Sequence, residues 1–163
     1  MRRSKENQTD NYQAKIAAPF AVLGIKTEED WLTNIDYLPL STPLLAPLNP
    51  LAKEVCAQLA SYLIEPDFMF DLSLHIRGTT HQRRVWQAIQ VIPSGKTSSY
   101  GDIATQLHSA PRAVGRACGA NRIPIIIPCH RVIAKNGGLG GFMNASEGFP
   151  LDIKRWLLCH ECR

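Results

Sequence analysis

Residues Ser98–Ala134 read SSYGDIATQLHSAPRAVGRACGANRIPIIIPCHRVIA, and the fold turns on how this stretch is parsed. Ser98 precedes a short helical pattern from Tyr100 to Leu107, and a turn leads into a second helix from about Ala110 to Asn121. A short helix, a turn and a second helix make a unit of helix-turn-helix size. Behind it, Ile123 to Ala134 is an apolar run interrupted by Pro124 and Pro128. That run carries the pair Cys129-His130.

Downstream, Asn136 to Phe142 (NGGLGGF) is a glycine-rich loop, and Leu151 to His160 has the pattern of a final amphipathic helix. Upstream, Val85, Trp86 and Ile89 predict a helix over Arg83 to Val91, stopped by Pro93-Ser94-Gly95. The first half reads as strands. Ala14 to Ala18, Phe20 to Lys26 and Trp31 to Leu40 are short apolar or alternating runs, broken by Pro19 and the acidic turn Thr27 to Asp30. Leu38 to Pro50 is too proline-rich for a regular element. Asn49 then caps a helix with Pro50 in its first turn and Leu51, Val55, Leu59 and Leu63 at four-residue spacing. Met1 to about Gln13 is expected to be a mobile tail.

Charge is distributed unevenly. The net charge of +4 is compatible with nucleic-acid binding but does not require it. Between His75 and Arg131, however, Arg77, Arg83, Arg84, Lys96, Arg112, Arg116, Arg122 and Arg131 face a single acid, Asp102. On the second helix Arg112 and Arg116 share a face, while Val114, Ala117 and Cys118 point inward. The rest of the outer face, Ala113, Gly115, Gly119 and Ala120, is smooth. Such a helix lacks the amide forks that read the major groove, and its small residues permit close approach to a narrow groove.

Cys129 carries the candidate chemistry. A free cysteine among apolar residues is usually inert core. Here Pro128 constrains the backbone, and His130 and Arg131 are placed to stabilise a thiolate, the nucleophilic form. Adjacent residues on extended backbone point to opposite faces, so contact between Cys129 and His130 needs a turn or a bridging water. The last helix supplies an orienting group. Ile153, Leu157 and Glu161 lie on one stripe, and a carboxylate on a core-facing stripe demands a partner unless the helix frays before it.

Five cysteines and no apolar leader favour a reduced, cytoplasmic protein over a disulfide framework. Cys159-x-x-Cys162 closes a helix and has no second ligand pair, which argues against a metal or redox role. Nothing approaches the run of about 18 apolar residues that a membrane span needs.

SSYGDIA, RAVGRACGAN, IPCHRVIA and GGLGGF, in this order and spacing, resemble the O6-alkylguanine-DNA alkyltransferase family over about Gly78 to Glu161. Pro19-Phe20 and Leu23-Gly24 are similar to its first hairpin. The resemblance implies an α/β (α+β) fold in which a small ribonuclease-H-like sheet domain, 14–75, supports a helical domain, 76–163, holding the helix-turn-helix and the reactive cysteine. It implies DNA repair by irreversible, single-turnover transfer of an alkyl group, chiefly methyl, from guanine O6 in duplex DNA, with O4-alkylthymine a secondary substrate. No cofactor or metal is implied, and the chain is expected to be a monomer.

The implied roles follow position by position. Cys129 is the acceptor, His130 takes its proton through a water, and Glu161 orients His130. Asn121 sits between recognition helix and active-site strand. Arg112 fills the space of the flipped nucleotide, with Ala113, Gly115 and Arg116 on the same minor-groove surface. Tyr100 turns the flanking phosphate and donates to the departing guanine. Backbone groups at Cys129 and Val132 read the base edge, and Phe142 and Met143 wall the pocket. Three departures stand out: Arg122 where the family has proline, His81 in place of an aromatic, and Met143 in a loop that usually carries small residues. Two other readings fit parts of the chain. A lesion-binding protein of the same fold needs no reactive thiol, and a cysteine hydrolase or redox enzyme leaves the arginine helix idle.

Overall fold

The computed structural model describes residues 11–140 and 149–162. Strands β1 (Ala14–Ala17), β2 (Val22–Glu28) and β3 (Trp31–Leu38) form an antiparallel meander in that order. The acidic turn predicted at 27–30 closes the β2–β3 hairpin, with Glu29 in the left-handed region (φ 51°) and a register shift at Lys26/Thr27. Helix α1 (Pro50–Ile64) starts as its sequence predicts: the Asn49 side chain accepts from the Ala52 N–H at 2.8 Å, a cap that contributes about 1 kcal/mol. Val55, Leu59 and Tyr62 on its inner face are buried.

Helix α2 (Thr80–Gln90) begins three residues earlier than predicted. Thr79 and Gln82 form a reciprocal capping box, a start signal that the run of polar residues before Val85 obscures. Helices α3 (Tyr100–Leu107) and α4 (Pro111–Gly119) form the expected short pair, with the Ser99 hydroxyl capping α3 and His108 ending it at φ 53°. The buried Trp86 indole donates to the Ala117 carbonyl at 2.8 Å, locking α2 against α4. Helix α5 (Phe149–Glu161) closes the chain.

The apolar run before the reactive pair takes its shape from Ile123–Ile127. This stretch is a turn, in which the Ile127 N–H donates to the Ile123 carbonyl at 3.0 Å. Ile125 sits at φ 74°, a conformation that costs a β-branched residue ~1–3 kcal/mol. Burial of its side chain returns roughly 1.5–3 kcal/mol, enough to hold the turn. A 3-10 turn at Cys129–Arg131 follows, and only Val132–Ile133 is extended, as β5, pairing in parallel with β4 (Ser98–Ser99).

One buried cluster runs from Ala14 in β1 to Leu157 in α5, so the two halves share a core. Two further ties reinforce it: the Ile35 N–H donates to the Arg122 carbonyl at 2.9 Å, and the Phe20 ring packs against Trp156 with centroids 4.8 Å apart and planes tilted at 46°. Among the described residues no helix is long and apolar enough to cross a membrane.

Candidate active site

Cys129 opens the 3-10 turn and is 3% exposed. Asn121, just beyond α4, holds the turn from three sides. Its Nδ2 donates to the Ile127 carbonyl at 2.9 Å and reaches Cys129 Sγ at 3.2 Å, and its Oδ1 accepts from the Ile123 N–H at 2.9 Å. Cys118, one turn earlier on α4, lies beside the same sulfur and, together with burial, pushes the Cys129 thiol above its ordinary value. At rest the site therefore holds a thiol, not a thiolate.

That corrects the sequence expectation for the residues after Cys129. Arg131 does not serve the sulfur. Its Nε donates to Glu161 Oε1 at 2.8 Å, Nη2 to Oε2 at 3.0 Å and Nη1 to the Ile92 carbonyl at 2.6 Å. His130 is fully buried and its Nε2 lies 2.8 Å from Glu161 Oε2. The helix does not fray before Glu161, which is 5% exposed and so meets its partners inside the protein.

The protonation pattern follows from these contacts. His130, Arg131 and Tyr62 all hydrogen-bond the Glu161 carboxylate and hold it well below the usual carboxylate range despite burial. An ionised carboxylate only accepts, so Nε2 of His130 carries hydrogen and Nδ1 bears the lone pair. That Nδ1 is buried with no hydrogen-bond partner among the described residues. Burial also lowers the His130 pKa, which keeps the ring neutral near pH 7. A neutral imidazole with its basic nitrogen reserved is a general base in waiting.

Two contributors were missed in the sequence, although both sit on core-facing stripes. Tyr62 follows Leu59 by three residues, and Lys154 precedes Leu157 by three. Lys154 is wholly buried. Its ammonium donates to the Val132 carbonyl at 2.8 Å, to the Leu139 carbonyl, and to the Tyr100 hydroxyl at 3.4 Å. It thus joins β5, the glycine-rich loop and the start of α3. Burial lowers its pKa to about 8, and its charge opposes the upward pressure on the Cys129 thiol.

On the surface of α4, Arg112 and Arg116 are exposed as expected, and Val114 and Ala117 are buried. Ala113, Gly115, Gly119 and Ala120 are half-buried, not exposed, and a Cβ at Gly115 would meet the Tyr100 ring at 4.0 Å. Tyr100 is flanked by Gly115 and by Gly140, whose φ of +66° and close approach to the ring leave no room for a side chain. Val132 is buried, its carbonyl engaged by Lys154. His81 instead pairs with Ser109, at 2.8 Å. Phe142 and Met143 lie outside the described residues.

Residues 80–163 match the family described as "6-O-methylguanine DNA methyltransferase, DNA binding domain". A methylated-DNA–protein-cysteine methyltransferase of Mycolicibacterium paratuberculosis is 40% identical over 155 residues, covering 91% of this chain and 90% of the relative. The constitutive enzyme of that name in Bacillus subtilis is 37% identical over 158 residues, covering 91% and 93%. Among solved structures, the Mycobacterium tuberculosis O6-methylguanine methyltransferase superposes with a TM-score of 0.78 at 37% identity, covering 91% of this chain and 90% of that one. A structure of Mycobacterium tuberculosis OGT in complex with DNA gives 0.75 at 38% identity, covering 91% of each.

Proposed function

The chain belongs to the 6-O-methylguanine DNA methyltransferase family and repairs DNA by alkyl transfer, and we propose from that premise that Cys129 is its alkyl acceptor. The observation that carries this reading is the arrangement around Cys129: a buried thiol pinned by Asn121, beside a neutral His130 whose tautomer Glu161 dictates.

In the proposed reaction His130 Nδ1 receives the thiol proton through a water. The Lys154 charge and the Asn121 amide stabilise the sulfur as it becomes anionic. The sulfur forms a bond to the methyl carbon as the carbon–O6 bond breaks, and the bonding electrons leave with guanine. Tyr100, its hydroxyl already polarised by Lys154, donates to a guanine ring nitrogen. The thioether is stable, so each molecule acts once. O4-methylthymine is a secondary substrate of the same chemistry.

The O6 substituent is out of reach inside a stacked duplex, so the base must leave the stack. The smooth surface of α4 suits the minor groove, with Ala113 and Gly115 allowing approach, Arg116 meeting phosphate and Arg112 entering the stack. Backbone groups at Cys129 and Val132 then read the base edge. The sheet unit, 14–75, supports the reactive unit, 76–163, and the protein works as a cytoplasmic monomer.

The test is transfer of a labelled methyl group from O6-methylguanine, offered both in duplex DNA and as the free base analogue. Arg112→Ala is expected to slow transfer from duplex at least about tenfold, the equivalent of about 1.4 kcal/mol of unstacking no longer offset, and to leave transfer from the free base within about twofold. Equal losses on both substrates would remove Arg112 from base extrusion. No label on the wild-type protein would sink the reading altogether.

A further inference from the structure

Tyr62 belongs to α1, 99 residues before Glu161 in sequence, yet its hydroxyl donates to Glu161 Oε2 at 2.6 Å. That distance is in the range of a charge-assisted O–H···O⁻ bond. We propose that Tyr62 is a positioning residue of the alkyl-transfer site, its hydroxyl locking the Glu161 carboxylate against His130 from the sheet-bearing half of the molecule. This rests on the reading of Cys129 as acceptor and His130 as its base.

Glu161 Oε2 is the crowded oxygen. It takes Tyr62 OH at 2.6 Å, His130 Nε2 at 2.8 Å and Arg131 Nη2 at 3.0 Å, while Oε1 takes Arg131 Nε at 2.8 Å. Each donor draws charge from the carboxylate, so the phenol limits how far the anion can favour a protonated His130. Tyr62 cannot hand its proton over. Burial and the neighbouring anion push its phenol far above the ordinary range, so it remains a donor at every relevant pH.

The phenol is also held from several sides. His160 of α5 pairs through Nε2 with the Tyr62 carbonyl at 2.7 Å, and the two rings meet edge to face at 5.2 Å. Phe70 packs on Tyr62 with ring centroids 5.7 Å apart. Tyr62 is thus gripped by α5 through its backbone and grips α5 through its hydroxyl. A substitution there reaches the base without touching Cys129, Asn121 or the DNA-facing helix.

The sign of the effect is fixed by the groups around it. His130 faces Glu161 and Arg131 and feels the Lys154 charge from α5, with Cys129 preceding it in the chain. Tyr62 faces Glu161, His160 and Tyr37 of β3, and feels Arg131. Tyr37 is pushed up by burial and stays neutral, and Lys154 titrates only near 8. On acidification, therefore, the group that shuts off transfer is His130. Removing the phenol donor leaves more charge on Glu161, raises the proton affinity of His130, and moves that shut-off to higher pH.

The experiment is the single-turnover rate of methyl transfer from duplex O6-methylguanine between about pH 5 and 9, for wild type and Tyr62→Phe. Tyr62→Phe keeps the ring packing, and its acid limb is expected to rise by roughly half a pH unit. Incorporating 3,5-difluorotyrosine at position 62 makes a stronger donor on the same frame and is expected to move the limb the other way. Phe70→Leu serves as the packing control: a lower melting temperature with an unmoved limb. If Tyr62→Phe slows transfer at all pH values with no displacement, or if the fluorinated protein titrates as wild type does, Tyr62 is only structural and the proposal falls. Should Tyr62→Phe fail to fold, the fluorinated protein decides alone. An inactive wild type, by contrast, would indict the Cys129 reading and not Tyr62.

Discussion

Glu161→Gln is expected to slow methyl transfer by about 10³-fold, because glutamine can no longer fix the His130 tautomer or favour its protonated form as the thiol ionises. The same change breaks a buried pair with Arg131 and leaves donors from three side chains around an uncharged amide, which costs about 3 kcal/mol of stability. The pH dependence is the more exact check. The Glu161 pKa is lower in the folded chain than in the unfolded one, so its contribution is full above the unfolded value of about 4.3 and disappears as pH falls below it. His130 is also lowered on folding, so its contribution is full above about 6.5 and falls away below that. Urea unfolding of the wild type at stepped pH should lose stability in two stages on acidification. Glu161→Gln should lack the lower one, and a variant with both stages intact would mean that the carboxylate is not the group that holds the site.

Lys154→Met is expected to separate stability from activity. Burying the ammonium lowers its pKa from 10.5 to about 8, a penalty of about 3 kcal/mol that a methionine of similar length avoids. Against this, the Val132 and Leu139 carbonyls lose their donor at about 1–3 kcal/mol each, so the net change in stability is small. Transfer, however, loses the positive charge opposite the thiol and the tie that holds Tyr100 and the glycine-rich loop to β5, and should slow by about 100-fold. The wild-type rate should also fall as pH rises through about 8, where Lys154 loses its proton. Rate against pH and melting temperature, measured on both proteins, decide the matter. A variant that transfers at the wild-type rate, or that keeps the alkaline fall, would remove Lys154 from the site.

What the sequence disclosed was mostly local. Caps and periodicity placed α1, α3 and α5, and Glu161 could be flagged because a carboxylate on an apolar stripe has few explanations. Asn121 stood out only through the spacing of a motif, and Cys129 through its neighbours Pro128, His130 and Arg131 together with that spacing. Other features depend on partners distant in the chain. Nothing near Tyr62 or Lys154 in sequence announces the oxygens that they meet across the fold. Arg131 looked like a partner for the thiolate because it is a neighbour, yet a bidentate carboxylate outcompetes a thiol for a guanidinium. The isoleucines before Pro128 have strand propensity, and tertiary burial overrides it by forcing Ile125 into the left-handed region so that Cys129 can sit on a turn.

The most direct test of the central claim is the intact and peptide mass of the protein after incubation with duplex DNA containing O6-methylguanine. Wild type is expected to gain one methyl group, on the peptide containing Cys129, with Cys56, Cys118, Cys159 and Cys162 unmodified, and Cys129→Ser is expected to bind the DNA without gaining mass. A methyl group found on Cys118, or any gain of mass by Cys129→Ser, would contradict the assignment of Cys129 as the acceptor.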